Sequence, residues 1–406
     1  MKFLFISICL VASLSAEINK KWETNKNCEA CHTEISKTWE ASRHSNSHFS
    51  KNDLYKKTLE YMVRKKPALI LDEVKIECAK CHNPRLLKKS MSDEDKILLA
   101  MGNDEAIKDY GKALNAEHVK NGINCIVCHN IDEIHLDKSK GSEGTHSVKF
   151  GPQGTMFGPF DDAHSPFHKT VQRPHYVDDS PDLCFVCHYS AKNRHGLEIY
   201  ATGKEYDAFS GDASGKVEGC KNCHMSAKEK GHASNYAPLG EKAKERMVRK
   251  HRFTSVDNSN ILSRYTEVTA ESGETRLDIT LKNNSPHKIP TGFGLREIVI
   301  EVNFLSPDNE EIEKKSFVLG TKWKDKNGEL TIPYLATSLA SDTRLDGKSS
   351  KTYSFDIPKG AKYAKYVIYY RLVDEEMAKK MGVSDQFFLR KYIFTESRVV
   401  FDLVRQ

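Results

Sequence analysis

Beyond its first sixteen residues this 406-residue chain has no long apolar run, whereas a bilayer-spanning helix needs about 20 consecutive apolar residues. Nothing after that leader reads as a membrane span. Charge of one sign is also lacking, since 62 Lys and Arg stand against 56 Asp and Glu, a formal +6. So small an excess gives no reason to expect a nucleic-acid partner. A disulfide-stapled miniature scaffold and a disordered tail are excluded too, because a chain of this length with 38% hydrophobic residues can bury two cores of ordinary domain size. What it holds in unusual number is cysteine and histidine, 11 and 17. An odd cysteine count raises the question of a leftover thiol, and position answers it.

Lys2 precedes an apolar stretch over residues 3–14, closed by the small residues Ser13, Ser15 and Ala16. This is the pattern of a signal peptide over residues 1–16, and about a dozen apolar residues is short for an anchor. Cys9 lies inside the stretch, and bulky Ile8 before it makes it a poor lipid-attachment site. The mature chain is expected to start near Glu17, with ten cysteines, in the periplasm.

All ten fall into one pattern: Cys28-Glu-Ala-Cys31-His32, Cys78-Ala-Lys-Cys81-His82, Cys125-Ile-Val-Cys128-His129, Cys184-Phe-Val-Cys187-His188 and Cys220-Lys-Asn-Cys223-His224. Chance would place about 0.01 such motifs in a chain of this composition. One Cys-x-x-Cys can be half a zinc ribbon or a redox pair, and exported cysteines can form disulfides. None of these explains a His after the second Cys in every copy. Two thioether bonds and one imidazole on iron explain all three residues, so the motifs imply five covalently attached haem c groups with His32, His82, His129, His188 and His224 as proximal ligands.

Five porphyrins on residues 17–255 leave about 48 residues for each, so the cofactor must supply much of the core. The expected fold there is a mainly α and irregular multihaem cytochrome domain. Apolar residues recur at three and four over 54–66 and 93–113, which predicts helices, while 138–180 has no sustained period and is rich in Gly and Pro. After about residue 255 the cysteines stop and β-branched and aromatic residues alternate over 275–281, 296–304, 351–357 and 366–372. Turn signals separate them at Ser272-Gly273, Pro307-Asp308-Asn309, Asn327-Gly328 and Asp346-Gly347. These predict a second domain, 256–406, an all-β antiparallel sandwich of Ig-like type with a helical excursion at 374–381.

A second His on an iron makes it an electron relay, and an open position makes it reactive. Twelve His remain outside the motifs. His44 with His48, and His164 with His168, are four residues apart and would share a helix face. The candidate distal ligands are His44, His118, His168 and His251, with His135 and His146 near equals for the fifth. His195 and His232 lie in polar, Lys-rich stretches and read as bystanders. Met225 follows His224 directly and cannot reach the opposite face of the same haem.

Several of these stretches resemble multihaem cytochromes c related to the tetrahaem electron acceptor of hydroxylamine oxidoreductase. They are Cys28 to His32 followed by Trp39-Glu-Ala-Ser42-Arg-His44, His118 before Gly122-Ile-Asn-Cys125, Gly158-Pro159-Phe160-Asp161 with His168 downstream, Cys220 to Met225, and Arg249-Lys250-His251-Arg252-Phe253. The resemblance spans most of residues 27–255. It implies distal roles for His44 and His118, and more loosely for His168 and His251. The five motifs depart from the four of that family, so its matching of ligand to haem does not transfer. Pentahaem nitrite reductases are a second comparison; many carry Cys-x-x-Cys-Lys at the reacting haem, which is absent here. The run Asn283-Asn-Ser-Pro-His287-Lys-Ile-Pro290-Thr-Gly292 looks like a Gly-His-x-Phe-Pro-Thr-Gly loop of β-domains attached to multihaem cytochromes. His287 is read there either as a loop-packing residue or as a group reaching the haem domain.

The leading functional expectation is an exported cytochrome that relays electrons through mostly two-His haems in a respiratory chain. Its partners would be redox proteins such as a quinol dehydrogenase, other cytochromes or a terminal reductase. The alternative is an oxidoreductase acting on nitrite, hydroxylamine or sulfur oxyanions at one open haem. Lys221, Arg252, Tyr189 and Tyr200 could then assist proton delivery, though no spacing selects them and no catalytic residue is assigned. A third reading makes the chain a docking subunit, with the β-domain as the contact. Ten ionised propionates would bring the mature polypeptide from about +5 to about −5, so its basic excess predicts no anionic partner.

Overall fold

The computed structural model describes residues 22–88, 90–210, 219–255 and 260–401; the expected leader lies outside them. Among the described residues no helix is long and apolar enough to cross a membrane. The first two-thirds of the chain is a string of short helices and loops, of which seven position the site: α1 (Lys26–Glu29), α2 (Asp53–Lys65), α3 (Leu71–His82), α4 (Cys125–His129), α5 (Asp182–His188), α6 (Thr202–Ser210) and α7 (Cys220–His224). Side-chain caps start several of them. Asn52 accepts from Tyr55 N at the head of α2, and Asn124 accepts from Val127 N at the head of α4. Pro67 restrains the residue before it from helical angles, and α2 ends at Lys65. The single helix expected over 93–113 is two, Asp93–Ala100 and Glu105–Leu114. Gly102, at φ +86°, supplies the left-handed residue that ends the first.

From Thr266 onward the chain is strand-rich. β1 (Thr266–Ser272), β2 (Arg276–Asn283), β3 (Glu297–Leu305), β4 (Glu311–Leu319), β5 (Ser349–Asp356), β6 (Tyr363–Arg371) and β7 (Tyr392–Val400) form two antiparallel sheets, ordered β5-β2-β1 and β4-β3-β6-β7. Ile279 pairs with Tyr353 in the first, and Ile300 with Ile368 in the second. Alternate residues point to one face of a strand, and here Leu277, Ile279 and Leu281 join Ile298, Ile300, Val302, Phe304 and Ile368 in one core, all at 0% exposure. The four runs expected as strands are β2, β3, β5 and β6. Five strands were not expected: the short pair Thr321–Lys324 and Ser338–Asp342, and β1, β4 and β7, which are edges of their sheets and whose period is masked by charged residues such as those of the Glu311 to Lys315 run. The excursion after β6 is α8 (Glu375–Met381), capped by Asp374 and ended by Gly382 at φ +78°.

The strand-rich part is not simply appended. Tyr55, Leu59 and Met62 on one face of α2 share a second core with Leu295, Trp323, Ile332, Met377, Met381 and Phe388. Asp53 accepts from Ser384 N and Asp385 N at 2.9 and 3.1 Å, and Arg64 donates to Lys380 O at 2.8 Å. Truncating Ile300, fully buried between the sheets, to Ala is expected to cost about 2–5 kcal/mol. The check is the calorimetric unfolding transition of the variant, with Ile300→Val costing about 0.5–1.5 kcal/mol on the same scale.

Candidate functional site

Each Cys-x-x-Cys-His sits on a helical turn, where positions i, i+3 and i+4 share a face, so both sulfurs and the imidazole project the same way. In the first motif the turn is closed by Cys31 N and His32 N, which donate to Cys28 O at 3.2 and 2.8 Å. All fifteen motif residues line one cavity of about 1660 Å³, well above the roughly 300–1,000 Å³ of an ordinary ligand pocket. Among the described residues no cysteine is in a disulfide, and no group of three or more His, Cys, Asp or Glu side chains converges as a metal site. Burial pushes the Cys78 thiol up to about 12 and the Cys128 thiol up to about 11. Such thiols are not poised as thiolates for redox exchange or zinc.

Four pairs of imidazoles face each other across this space. Ring centroids are 6.2 Å apart for His32 and His168, 6.2 Å for His44 and His188, 6.1 Å for His129 and His251, and 6.5 Å for His224 and His287. Metal–nitrogen bonds of about 2.0 Å, with about 1.15 Å from nitrogen to ring centre, put the rings of a two-His metal about 6.3 Å apart. The observed spacings match a metal between them.

Which nitrogen faces inward is set from behind. Nδ1 lies 2.6 Å from Ala233 O in His32, 2.7 Å from Phe157 O in His129 and 3.1 Å from Thr254 O in His224. The same contact is 3.0 Å to Arg249 O in His251 and 2.9 Å to Lys288 O in His287. A carbonyl only accepts, so Nδ1 carries the proton and Nε2 keeps its lone pair, the tautomer a ligating His needs. Burial also holds His44 down to about 3 and His82, His188 and His251 down to about 4. They are neutral at physiological pH, the form that binds iron. Phe253 takes a left-handed backbone, φ +51°, uncommon for a bulky residue. Its ring meets His44 at 4.2 Å and His251 at 6.1 Å, wedging the two rings apart.

His82 differs. Among the described residues no His ring faces it at this spacing; Tyr55 stacks on it at 4.3 Å and 17°. The apolar wall beside the second motif comes from α2 and from Phe293 and Tyr334 of the strand-rich part.

Of the expected distal ligands, His44, His168 and His251 lie in the facing pairs, but His118, His135 and His146 do not line the cavity. The turn Glu117–Lys120 leaves His118 half-buried outside it, His135 pairs with Glu133 at 3.3 Å on the surface, and His146 is exposed. His287, for which the sequence left two readings, fills the fourth pair; the Pro and Gly bracketing its loop were the available signal. His48 is held instead by Ser50 and Leu114 O. His195 and His232 are exposed. Tyr200 donates to Cys187 O at 2.9 Å, Tyr189 to Asp207 at 3.0 Å, and Lys221 to Asp178 O.

Thiols of different motifs lie close enough to shift one another: Cys28 and Cys125, Cys81 and Cys187, and Cys184 and Cys220. Short motif-bearing helices around one shared cavity, with antiparallel sheets after them, make the fold that of a multihaem c-type cytochrome. The chain is similar in fold to a penta-heme cytochrome c552 from Thermochromatium tepidum, with a TM-score of 0.66 and 17% identity over 93% of this chain and 98% of that one. A structural-genomics target and a glycosyl hydrolase family 2 member from Bacteroides cellulosilyticus overlap only 36% and 34% of the chain, at TM-scores of 0.18 and 0.15, too low to carry an argument. No family model and no curated protein matches.

Gly144 supports the second motif by close approach. At φ +59°, a Cβ there would stand 2.3 Å from Lys80 O and 3.0 Å from Cys81 Sγ. Gly144→Ala is expected to lower stability by at least about 1–2 kcal/mol from the backbone alone and to displace the end of α3. Gly158→Ala, where a Cβ meets nothing within 4 Å, is the control, and thermal midpoints of the two variants are the measurement.

Proposed function

We propose that the chain is an exported, periplasmic pentahaem c-type cytochrome that passes electrons between redox proteins. The observation that carries this is the set of four facing imidazole pairs in a cavity lined by all five motifs. In this reading residues 17–255 hold five haem c groups and residues 256–406 form a β-sandwich domain. Cys28 and Cys31, Cys78 and Cys81, Cys125 and Cys128, Cys184 and Cys187, and Cys220 and Cys223 attach them. His32 and His168 serve the first group, His129 and His251 the third, His44 and His188 the fourth, and His224 and His287 the fifth. Haem c supplies a one-electron couple at each iron.

The chain's own residues do the rest. Backbone carbonyls aim the imidazoles, and buried Val127, Phe157, Phe185 and Val186 keep water from the centre, which tunes potential. Thiols of different motifs that lie close enough to shift one another would bring the attachment edges of neighbouring groups together, as electron exchange requires. A quinol dehydrogenase, another cytochrome or a terminal reductase fits as partner.

A second reading has its own observation, the lack of a facing His at His82. The second group would then have one open position, beside an apolar and phenolic wall. An oxidoreductase acting there on a small nitrogen or sulfur compound would use the other four groups as its supply line.

The holoprotein is expected to carry five haems by mass, with four irons low-spin in electron paramagnetic resonance and one that binds cyanide or carbon monoxide. Five low-spin irons that bind neither would remove the second reading, and fewer than four would remove the proposed pairs. His168→Ala is expected to open one more iron, read as a second ligand-binding site per chain; an unchanged spectrum would show that His168 is not a ligand.

A further inference from the structure

Helix α6 reaches into the strand-rich part with one carboxylate. Glu205 is 5% exposed, and its side-chain hydrogen-bond partners all lie beyond residue 285. Arg344 Nη1 donates to Oε1 at 2.7 Å, while Thr291 Oγ1 and Lys288 N donate to Oε2 at 2.6 and 3.3 Å. A buried charge is tolerated only when paired and hydrogen-bonded, and these three contacts satisfy it. Two of them fall on the chain just after His287. The Thr202 and Thr291 hydroxyls meet at 2.9 Å. Phe209 closes over Gly347, where a Cβ would lie 2.7 Å from the Phe209 ring and 2.9 Å from His287 N.

The other side of the loop is held by its own sheet. Asn283 Nδ2 and Ser285 Oγ donate to His287 O at 2.8 and 3.0 Å. The loop therefore has two anchors, one in the strand-rich part and one on α6. That helix belongs to the same stretch of chain that carries Cys220, Cys223 and His224, the ring His287 faces.

We propose that Glu205 is a positioning residue that latches the His287 loop onto the fifth motif, making distal coordination there depend on the seating of the strand-rich part. The proposal rests on the reading of His224 and His287 as a ligand pair. A carboxylate that served only as a buried ion pair would affect stability alone. A latch also sets how firmly His287 holds the iron.

The test uses the haem-loaded chain with Glu205→Ala, Glu205→Gln, Thr291→Val and His287→Ala, read by electron paramagnetic resonance and cyanide titration well below the thermal midpoint. His287→Ala is expected to convert one low-spin iron to a cyanide-binding one. Glu205→Ala is expected to tighten cyanide binding at that same iron by about 10- to 100-fold over the unaltered protein, the usual scale for losing a partner that orients a ligand. Glu205→Gln keeps an acceptor for Thr291 and Lys288 and is expected to recover most of the difference. If Glu205→Ala lowers the thermal midpoint but leaves spin state and cyanide affinity unaltered while His287→Ala changes both, the latch is overturned and the ligand pair stands. If His287→Ala changes nothing, the pair has failed and the latch with it. Should Glu205→Ala not fold, Thr291→Val decides: a smaller shift in the same direction supports the latch, and no shift overturns it.

Discussion

A neutral imidazole anchored by one nitrogen and aimed by the other is the interaction on which this structure depends. Its two halves make opposite demands. The anchoring half needs a backbone carbonyl at a fixed place, so the segments of Ala233, Phe157 and Thr254 must pass behind His32, His129 and His224. The aiming half needs a partner ring at metal-bridging distance, and three of the four pairs join residues more than a hundred positions apart. The irregular connections are thus the means by which rings from distant segments converge. Regular helices could not turn often enough to bring Lys169 and its neighbour His168 back to the first motif while Phe157 still backs the third.

The strand-rich part follows the same logic from outside. Its own core is complete between the two sheets, yet it also gives His287, Phe293, Arg296 and Tyr334 to the cavity and a wall of side chains to α2. Arg296 spans this junction, donating to Thr291 O at 2.9 Å behind the His287 loop. A β-structure suits the task because its loops are held at both ends by strands. A ligand on such a loop is set by the rigidity of the sheets and not by the short helices that carry the motifs.

Much of this was legible because covalent chemistry leaves strict spacing. Cys, Cys and His must stand on one helical turn, and the strands β2, β3, β5 and β6 show their period because alternate residues of each enter the core between the sheets. The rest depends on where chain segments pass in space. His118 lies four residues before Gly122 and near the third motif in sequence, but the turn at Glu117–Lys120 keeps it outside the cavity. His287 lies in another fold element altogether, and only its tight Pro- and Gly-bounded loop marked it. The edge strands β4 and β7 carry alternating charge over a solvent face, which hides a β period from any reading of hydrophobicity.

The contacts between motifs bear on His82, which no His ring faces among the described residues. Cys81 and Cys187 lie close enough to shift one another, as do Cys184 and Cys220, so the fourth motif is beside both the second and the fifth. The first lies beside the third through Cys28 and Cys125, and Cys128 stands close enough to Cys184 and Cys187 to act on both electrostatically. The fourth motif is therefore a junction, and the first, second and fifth are ends. An iron with a free position is most useful at an end, where a ligand can bind without interrupting passage between the others. The second motif is also the one whose surroundings come jointly from α2 and the strand-rich part. Of the three ends it alone has no facing His among the described residues, so under the proposed function relay and reaction are compatible in one arrangement.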